Sequence, residues 1–462
     1  MRTFLPVVGV VFAASLFAQS AHASGYLAAR FGADDGTPAM ANPFAVYYNP
    51  AALGGVKGTK ITLDGTLVLR NVKYTRTPAA LSAECAADAA CVGANTGEGK
   101  LTGLSVLPFV GIATDFGGSA LHGGFASYVP FGGSSSWSKV DGKGVPGAED
   151  GPQRWHNIEG SLRALYNTAA LSYSLAGGKL SLGASVSAVL HSIHTVRARN
   201  TDASEDTATM KGTTKEGRTT LDASGFNLAA ALGVYWVPSD KVNVGLSYTS
   251  QPGFGETRMN GKLEAAVGAL NPTTTNVDFL QTYPDIVRLG GTWQASTKTQ
   301  LRFDTSFTRW SVFKDQCVVY EGKSCNLNAN GSDASGGTNI VANVPRRWKD
   351  AVGLRVGGVQ ALNDQVSLHA SAAMSTPAVG KDTMDASTID SVRLYGTLGG
   401  WYTMSEHVRI GASYTYLYFL PVSISAAEAQ QTKWRGASSG PSAAGEYSSN
   451  VSLLNVNASY TF

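Results

Sequence analysis

The end of the chain alternates between apolar and polar residues. From position 454 onward, one parity holds Leu454, Val456, Ala458, Tyr460 and Phe462. The other parity holds Asn455, Asn457, Ser459 and Thr461. A period of two residues predicts a β-strand with one apolar face and one polar face. The same alternation over 180–190, 301–307 and 407–418 predicts further strands of this kind.

The spacing of these strands predicts a closed barrel. Short turns at 176–179, 238–241, 295–298, 362–365 and 404–407 alternate with long stretches rich in Gly, Ser and Asn, at 76–100, 134–156, 198–218, 258–283, 314–346, 376–390 and 421–446. We place fourteen strands, at 59–75, 101–115, 121–132, 158–175, 179–197, 220–237, 241–258, 284–296, 299–313, 348–361, 365–376, 390–403, 407–419 and 447–462.

An even number of strands, with short turns at one end and long loops at the other, is typical of a bacterial outer-membrane barrel. In such a barrel the apolar face meets lipid and the polar face lines the lumen. The fold class predicted is therefore all-β, a fourteen-stranded antiparallel transmembrane β-barrel. The alternative is a secreted soluble β-protein, which would need a core against which the apolar faces could pack.

Composition fits the barrel. The chain has 53 Gly and 18 Tyr, and only 15% of its residues are charged, which suits many strands with turns and aromatic girdles. After residue 23 the chain keeps 35 of its 36 Lys and Arg, because only Arg2 is lost, against 33 Asp and Glu. A net charge near +2 does not indicate a nucleic-acid partner.

The first residues are typical of a secretory signal peptide, 1–23. Arg2 supplies the positive start, 5–18 is apolar, and Ala21-His22-Ala23 is an A-x-A cleavage site. A transmembrane anchor is the alternative, but a membrane-spanning helix needs about 20 apolar residues. The mature chain is expected to begin at Ser24, and no later run is apolar enough for a membrane-spanning helix.

The four cysteines form two close pairs, Cys85 with Cys91 and Cys317 with Cys325. An exported chain meets an oxidising compartment, so we expect two local disulfides, each stapling a loop. A metal site is the alternative, but there is no CxxC motif and no nearby histidine pair.

Two segments break the strand pattern. The segment "ANPFAVYYNPAAL", 41–53, brackets two tyrosines between prolines, and "YVPFGGSSS", 128–136, places a proline and two glycines within a strand. Proline lacks the N–H that a sheet ladder needs, and glycine weakens a strand. We expect 41–53 to lie outside the sheet and the strand at 121–132 to be irregular at its end.

Most of the mature sequence resembles the FadL/TodX family of outer-membrane transporters for hydrophobic compounds. The resemblance is carried in order by "SGY" at 24–26, by 41–53, 123–137, 154–187, 225–251, 283–314 and 344–380. It implies a fourteen-stranded barrel, 58–462, preceded by a helical hatch, 24–57, that plugs the lumen. The hatch would include Ser24, Gly25, Tyr26, and the "NPA" motif Asn49, Pro50 and Ala51.

The resemblance also implies a route for the ligand. An inward kink in the third strand, matched here by Pro130, Phe131, Gly132 and Gly133, would leave a lateral gap in the wall. The ligand, most simply a long-chain fatty acid, would be captured at the outer face and released sideways into the membrane. The alternatives are a monoaromatic hydrocarbon channel of the same fold, a general porin and an outer-membrane hydrolase.

Basic residues near the outer ends of strands are candidates for the ligand head group: Arg197, Arg199 and Lys314. The alternative is that they meet lipopolysaccharide phosphates or water. Loop residues that could line an apolar pocket are Trp137, Val145, Trp155, Phe254, Phe279 and Leu280. Inward-facing residues that more simply form a structural network in the lumen are Arg288, Arg302, Asp304, Arg355 and Arg409.

No catalytic motif is present, since G-x-S-x-G, H-E-x-x-H and the P-loop are all absent, so we expect neither catalysis nor a cofactor nor a metal. The expected partners are a hydrophobic or fatty-acid ligand, lipopolysaccharide, outer-membrane lipid, and the barrel assembly machinery through the C-terminal Phe462. The resemblance implies a monomer.

Overall fold

The computed structural model describes residues 30–78, 81, 83–142, 144–200, 215–268, 271–429 and 441–462. The predicted signal peptide and Ser24, Gly25 and Tyr26 of the predicted hatch lie outside this part of the chain. No helix among the described residues is long and apolar enough to cross a membrane.

The described chain forms eighteen strands in one antiparallel sheet. They are β1 Thr59–Arg76, β2 Gly97–Thr114, β3 Leu121–Ser136, β4 Glu159–Leu175, β5 Leu180–Asn200, β6 Glu216–Ser239, β7 Val242–Thr249, β8 Glu256–Ala266, β9 Thr273–Thr282, β10 Ile286–Gln294, β11 Thr299–Thr308, β12 Asp315–Tyr320, β13 Ile340–Pro345, β14 Ala351–Ala361, β15 Val366–Ser375, β16 Arg393–Thr403, β17 Val408–Ile424 and β18 Gly445–Thr461.

Fourteen of these strands close into a barrel. β1 pairs with both β2 and β18, so the first and last strands meet. β7 pairs with β10, and β11 pairs with β14, so β8, β9, β12 and β13 are left out of the ring. The predicted all-β barrel of fourteen antiparallel strands is confirmed.

The four remaining strands extend the wall beyond the outer end. β8 pairs with the first residues of β6, then with β9, which pairs with β12. The sequence analysis predicted loops over most of these residues. The prediction was wrong there because segments such as Thr273–Thr282 are polar on most positions and lack the apolar alternation that marks a lipid-facing strand. The predicted strand 241–258 likewise divides into β7 and β8 at a turn, Pro252–Phe254.

The two faces of β18 show that the barrel is apolar outside and polar inside. Leu454 and Val456 are 48% and 51% exposed, whereas Asn455 and Asn457 are 5% and 6% exposed. A soluble sandwich would bury the leucine and valine. Outward leucine and valine with inward asparagine are what a barrel in lipid requires.

Both predicted disulfides are confirmed. Cys85 bonds Cys91 and joins two short helices, Ala83–Ala86 and Ala89–Asn95, in the loop after β1. Cys317 in β12 bonds Cys325 in the loop that follows. Among the described residues after position 57, the short 3-10 turns are Ala148–Asp150, Ala176–Gly178, Pro252–Phe254 and Trp310–Val312.

Residues 30–57, which we call the N-terminal segment, contain no strand. They form a 3-10 turn at Ala33–Asp35, an α-helix at Ala45–Tyr48 and a 3-10 helix at Pro50–Gly55. Asn49 organises this region, because its side-chain oxygen accepts a hydrogen bond from the Ala51 N–H at 3.1 Å. Its side-chain amide donates to the carbonyls of Pro38 at 2.9 Å and Val234 at 3.0 Å. Pro50 opens the 3-10 helix, where no N–H is needed.

Inward-facing glycines of the barrel make room for this segment. Gly183 of β5 and Gly233 of β6 are cross-strand partners. A Cβ on Gly233 would lie 1.9 Å from Asn49 Oδ1, and one on Gly183 would lie 2.3 Å from the Ala51 nitrogen. Only glycine permits this approach of backbone to wall. The "NPA" motif therefore sits against a surface shaped for it.

We expect Gly233→Val to displace the N-terminal segment from this surface. The added side chain would occupy the position of the Asn49 oxygen, and overpacking of this kind costs about 1–3 kcal/mol. A cysteine introduced at Ala52, which is fully buried in the native protein, should then react with a membrane-impermeant maleimide. The control is Gly65→Val in β1, where a Cβ meets nothing within 4 Å. Equal labelling in both backgrounds would contradict the prediction.

Candidate functional site

The N-terminal segment is tied to the barrel wall through two adjacent acidic residues, Asp34 and Asp35, which we call the acidic pair. Asp34 accepts hydrogen bonds from Arg355 of β14 at 2.7 Å and from Ser371 of β15 at 2.8 Å. Its second oxygen lies 3.0 Å from Nδ1 of His369, also in β15. The Asp34 side chain is 3% exposed and that of Arg355 is 6% exposed, so this ion pair is shielded from water.

Asp35 reaches two further strands. Its carboxylate pairs with Arg302 of β11 at 3.2 Å and with Arg409 of β17 at 2.7 Å. Arg302 also donates to the backbone carbonyl of Asp34 at 2.6 Å. The acidic pair therefore joins the segment to four strands, β11, β14, β15 and β17.

The opposite side of the wall holds the segment through neutral hydrogen bonds. Ser247 of β7 donates to the Tyr48 carbonyl at 2.6 Å, and Ser172 of β4 donates to the Ala51 carbonyl at 3.0 Å. Charged contacts on one side and neutral contacts on the other span the lumen. Removing a partner on the charged side would leave a buried charge uncompensated, which is costly.

The predicted structural network of lumen arginines is present, with one exception. Asp304 accepts from Arg355 at 2.6 Å and from Arg30 at 3.1 Å. Arg302 and Arg409 join the same group through the acidic pair. Arg288, the fifth residue predicted for this network, makes no salt bridge among the described residues.

A second group of charged residues surrounds a cavity of about 90 Å³ near the outer end of the barrel. Arg197 of β5 lines it together with the apolar side chains of Leu162, Leu221 and Phe279. The lining of the cavity thus combines a cation with apolar surface. This combination suits an amphiphile with an anionic end.

Arg346 and Asp385 also line this cavity. Arg346 donates to Gln316 at 2.7 Å and pairs with Asp385 at 3.2 Å, and both charged side chains are about 5% exposed or less. Burial alone would raise the pKa of Asp385, but the charge of Arg346 and a hydrogen bond from Ser387 outweigh it and lower the pKa. Asp385 therefore stays ionised and keeps Arg346 neutralised at neutral pH.

The other predicted head-group residues lie apart from this cavity. Arg199 pairs in register with Gly217 of β6, close to the outer end of β5. Lys314 follows the turn Trp310–Val312, and its carbonyl accepts from the backbone N–H groups of Arg346 and Arg347. Of the predicted apolar loop residues, Phe279 lines the cavity, Trp137, Val145, Trp155 and Leu280 are buried elsewhere, and Phe254 is 66% exposed.

The ladder between β2 and β3 is incomplete in this fully described part of the chain. β3 pairs with β2 only from Gly123 to Tyr128, opposite Thr114 to Phe109. Beyond that point β2 continues to pair with β1, and β3 continues to pair with β4 from Phe131 onward. The register of β3 against β4 shifts between Tyr128 and Phe131, across Pro130.

The unpaired stretch is bounded at its outer end. An isolated bridge joins Leu101 to Trp137, and the Ser138 N–H donates to the Lys100 carbonyl at 2.8 Å. Within the stretch, the hydroxyls of Ser105 and Ser134 lie 3.1 Å apart. We call this region, 102–108 of β2 facing 129–136 of β3, the β2–β3 window.

Sequence reasoning missed the acidic pair and His369. Two adjacent aspartates within an otherwise small and apolar segment, "FGADDGTPA" at 31–39, were the signal available. Their partners are about 270 to 370 positions away along the chain, so the pairing required the fold. Among the described residues, no group of three or more His, Cys, Asp or Glu side chains is arranged to hold a metal ion.

The chain was compared with known families. The model of the family described as outer membrane protein transport protein (OMPP1/FadL/TodX) matches residues 5–462. The chain belongs to the FadL/TodX family. This FadL/TodX-family protein is accordingly an outer-membrane transporter of hydrophobic compounds, and its family is one of transporters and not of enzymes.

Individual relatives of this FadL/TodX-family protein are distant in sequence. The protein NMB0088 of Neisseria meningitidis serogroup B is 22% identical over 501 residues, covering 99% of this chain and 97% of that protein. A FadL homologue of Pseudomonas aeruginosa has a similar fold, with a TM-score of 0.74, 17% identity, and coverage of 95% of this chain and 100% of that one. The toluene transporter TodX of P. putida gives a TM-score of 0.62 at 16% identity, covering 91% and 94%.

Proposed function

We propose that this protein takes up long-chain fatty acids across the outer membrane. The observation that carries the proposal is the outer cavity, where Arg197 lies beside the apolar side chains of Leu162, Leu221 and Phe279. Burial of an acyl chain would supply about 25 cal/mol per Å² of apolar surface, and the arginine would neutralise the carboxylate.

The route we propose ends at the β2–β3 window. A ligand inside the lumen would leave sideways between strands β2 and β3, whose ladder stops at Phe109 and Tyr128. Lateral release places an apolar molecule directly in the bilayer, where its transfer from water is favourable. Pro130, Phe131, Gly132 and Gly133 form the irregular part of β3 that this route would use.

The N-terminal residues 24–57 would act as a hatch in this route. This role is supported by the contacts of residues 30–57, which reach barrel strands as far apart as β4 and β15. The hatch would have to shift for the ligand to move on, and a ligand can favour that shift only by binding the shifted state more tightly. The rest of the chain, 58–462, would serve as the barrel.

The proposed head-group residues are Arg197, Arg199 and Lys314. We expect the double substitution Arg197→Ala, Arg199→Ala to weaken oleate binding about tenfold or more, since a hydrogen bond to a charged group contributes about 1.5–3 kcal/mol. Toluene binding should be unchanged because toluene carries no charge. Lys179→Ala, in the turn at the other end of β5, is the control. Equal losses for oleate and toluene would contradict the assignment.

A monoaromatic hydrocarbon is the second candidate ligand, favoured by an aromatic cluster in the outer lumen. Phe131 lies 5.2 Å from Tyr283, 6.1 Å from Trp310 and 6.3 Å from Tyr166, between ring centroids. Aromatic rings attract each other at such distances, so a small aromatic ligand could replace one of them. The similarity in fold to toluene transporters is compatible with this candidate.

Uptake in a deletion strain tests the proposal. Labelled oleate and labelled toluene would be offered side by side, with and without the protein restored. Rescue of oleate uptake alone is the expected result. Rescue of toluene uptake alone would favour the hydrocarbon candidate, and leakage of small sugars without rescue of either would favour a general porin.

Contacts with other cell-envelope components belong to the same proposal. Phe462 ends the chain with 67% of its surface exposed, and its N–H donates to the Thr59 carbonyl at 2.9 Å where the barrel closes. We infer that the barrel assembly machinery recognises this residue. The mature protein would be a monomer whose outward face meets lipid and whose rim meets lipopolysaccharide.

A further inference from the structure

A cavity of about 160 Å³ lies in the lumen beside the N-terminal segment. It is separate in its lining from the outer cavity that contains Arg197. Its lining includes the charged side chains of Arg288, Asp304 and Arg355 and also Tyr47, Ile286 and Leu417. We call it the lumen cavity.

Two of the arginines in the lumen cavity are already neutralised by carboxylates. Arg355 donates to Asp304 at 2.6 Å and to Asp34 at 2.7 Å. Arg30, which also lines the cavity, donates to Asp304 at 3.1 Å. These side chains serve the attachment of the N-terminal segment and are not available to a ligand without breaking that attachment.

Arg288 differs from them. It is only 5% exposed, and its Nη1 donates to the neutral hydroxyl of Thr249 at 3.1 Å. Its guanidinium lies 4.5 Å from the centroid of the Tyr47 ring. Among the described residues, no carboxylate oxygen lies within 4.0 Å of its nitrogens.

A buried cation without a counter-ion is unfavourable, and a cation–π contact offsets only part of the lost hydration. The side chain therefore has unused capacity to bind an anion. A guanidinium presents its donors as a planar fork that matches both oxygens of a carboxylate. A single carboxylate would also balance the single charge of Arg288.

The neighbouring surface indicates what else the ligand carries. Ile286 is two residues from Arg288 on the same inward face of β10 and is 2% exposed. The ring of Tyr47 and the side chain of Leu417 in β17, which is 1% exposed, add apolar surface to the lining of the cavity. A small hydrated anion would gain nothing from this wall, whereas an alkyl chain next to the carboxylate would.

We propose that Arg288 binds the carboxylate of a long-chain amphiphile inside the lumen cavity, with the first carbons of the chain against Tyr47 and Ile286. This inference rests on the proposed function, and it adds a second anionic-ligand site below the outer cavity. Arg288 would make the lumen selective for carboxylates over neutral molecules of the same length.

The test compares oleate with oleyl alcohol, which has the same chain and no charge. Binding to the full mature protein in lipid nanodiscs, which avoids competition from detergent chains, would be measured by calorimetry. Arg288→Gln should weaken oleate binding about tenfold or more and leave oleyl alcohol binding within about twofold. Arg288→Lys keeps the charge but loses the fork, and should give a smaller loss for oleate alone. Arg163→Gln, in β4 and outside the lining of the lumen cavity, is the matched control.

Equal losses for both ligands in Arg288→Gln would overturn the inference, since they would indicate a structural role. Unchanged oleate binding would overturn it as well. If Arg288→Gln does not fold, Arg288→Lys decides by the same comparison. Failure of the wild-type protein to bind oleate would overturn the proposed function together with the inference. Wild-type oleate binding that is insensitive to Arg288 would overturn the inference alone.

Discussion

The double substitution Asp34→Asn, Asp35→Asn is expected to release the N-terminal segment from the barrel wall and so to raise the ion conductance of the barrel. Asparagine has nearly the same shape as aspartate, so the packing of the turn Ala33–Asp35 should survive. The charge that holds Arg355, Arg302 and Arg409 would be lost. The three arginines would then face the lumen with fewer counter-ions.

The expected size of the effect follows from burial. Removing one partner of a buried ion pair typically costs about 3–5 kcal/mol, because the remaining charge is left uncompensated. Arg302 would lose its carboxylate partner and is 6% exposed at the side chain, so water can stabilise it only if the segment moves away. Arg355, also 6% exposed, would keep Asp304 as a partner. A loss of about 3 kcal/mol would raise the detached population more than about a hundredfold.

Two measurements check this prediction. Single-channel conductance of the purified protein in planar bilayers should rise several-fold, and cells should become sensitive to a large antibiotic that the intact outer membrane excludes. The control is Asp222→Asn, a carboxylate in β6 that is 63% exposed and pairs with His194, away from the N-terminal segment. Unchanged conductance in a correctly folded double variant would mean that neutral contacts, such as those of Ser172 and Ser247, suffice to hold the segment.

How much of this structure the sequence could predict depends on whether the interactions involved are between residues close together or far apart along the chain. The barrel strands were predictable because each carries its own signal: Leu454 and Val456 point to lipid and Asn455 and Asn457 point inward, and this alternation is local. The outer strands β8, β9, β12 and β13 were not predictable in this way, since they are short and their buried apolar residues, such as Met259, Phe279 and Val318, do not form a sustained alternation. Their pairing depends on the partners that the barrel brings near them.

The candidate site was less predictable than the fold for the same reason. The sequence singled out Arg197 by its place at the end of a strand, and it lines the outer cavity. It grouped Arg288 with Arg302 and Arg355, although only the latter two have carboxylate partners. That distinction depends on where the N-terminal segment places the acidic pair, which follows a turn with a φ of 68° at Gly32. A backbone angle of this kind is not readable from a run of small residues.

The second large effect is expected at the β2–β3 window. A disulfide between cysteines at Ser105 and Ser134 should abolish uptake of the transported molecule, because it fixes β2 to β3 where their ladder is missing. The two hydroxyl oxygens lie 3.1 Å apart, so cysteines at these positions are close enough to bond once the side chains adjust. Uptake of labelled oleate should fall to the level of the deletion strain after oxidation and recover after mild reduction.

The matched control places the same chemistry where the wall is already closed. Thr62 of β1 and Ser459 of β18 are register partners whose hydroxyls lie 2.8 Å apart. Cysteines there should form a disulfide without affecting uptake, because full pairing already holds those strands together. Wild-type protein treated with the same reductant accounts for effects on the two native disulfides.

The outcome separates two exits from the lumen. If the ligand leaves sideways, a disulfide cross-link across the β2–β3 window blocks its exit from any binding site in the lumen. Toluene uptake would then be lost together with oleate uptake. If the ligand instead continues past the N-terminal segment to the periplasmic end, a fully formed Ser105→Cys, Ser134→Cys cross-link would leave uptake intact. In that case the release of the acidic pair, and not the opening of the wall, would be the step that limits transport.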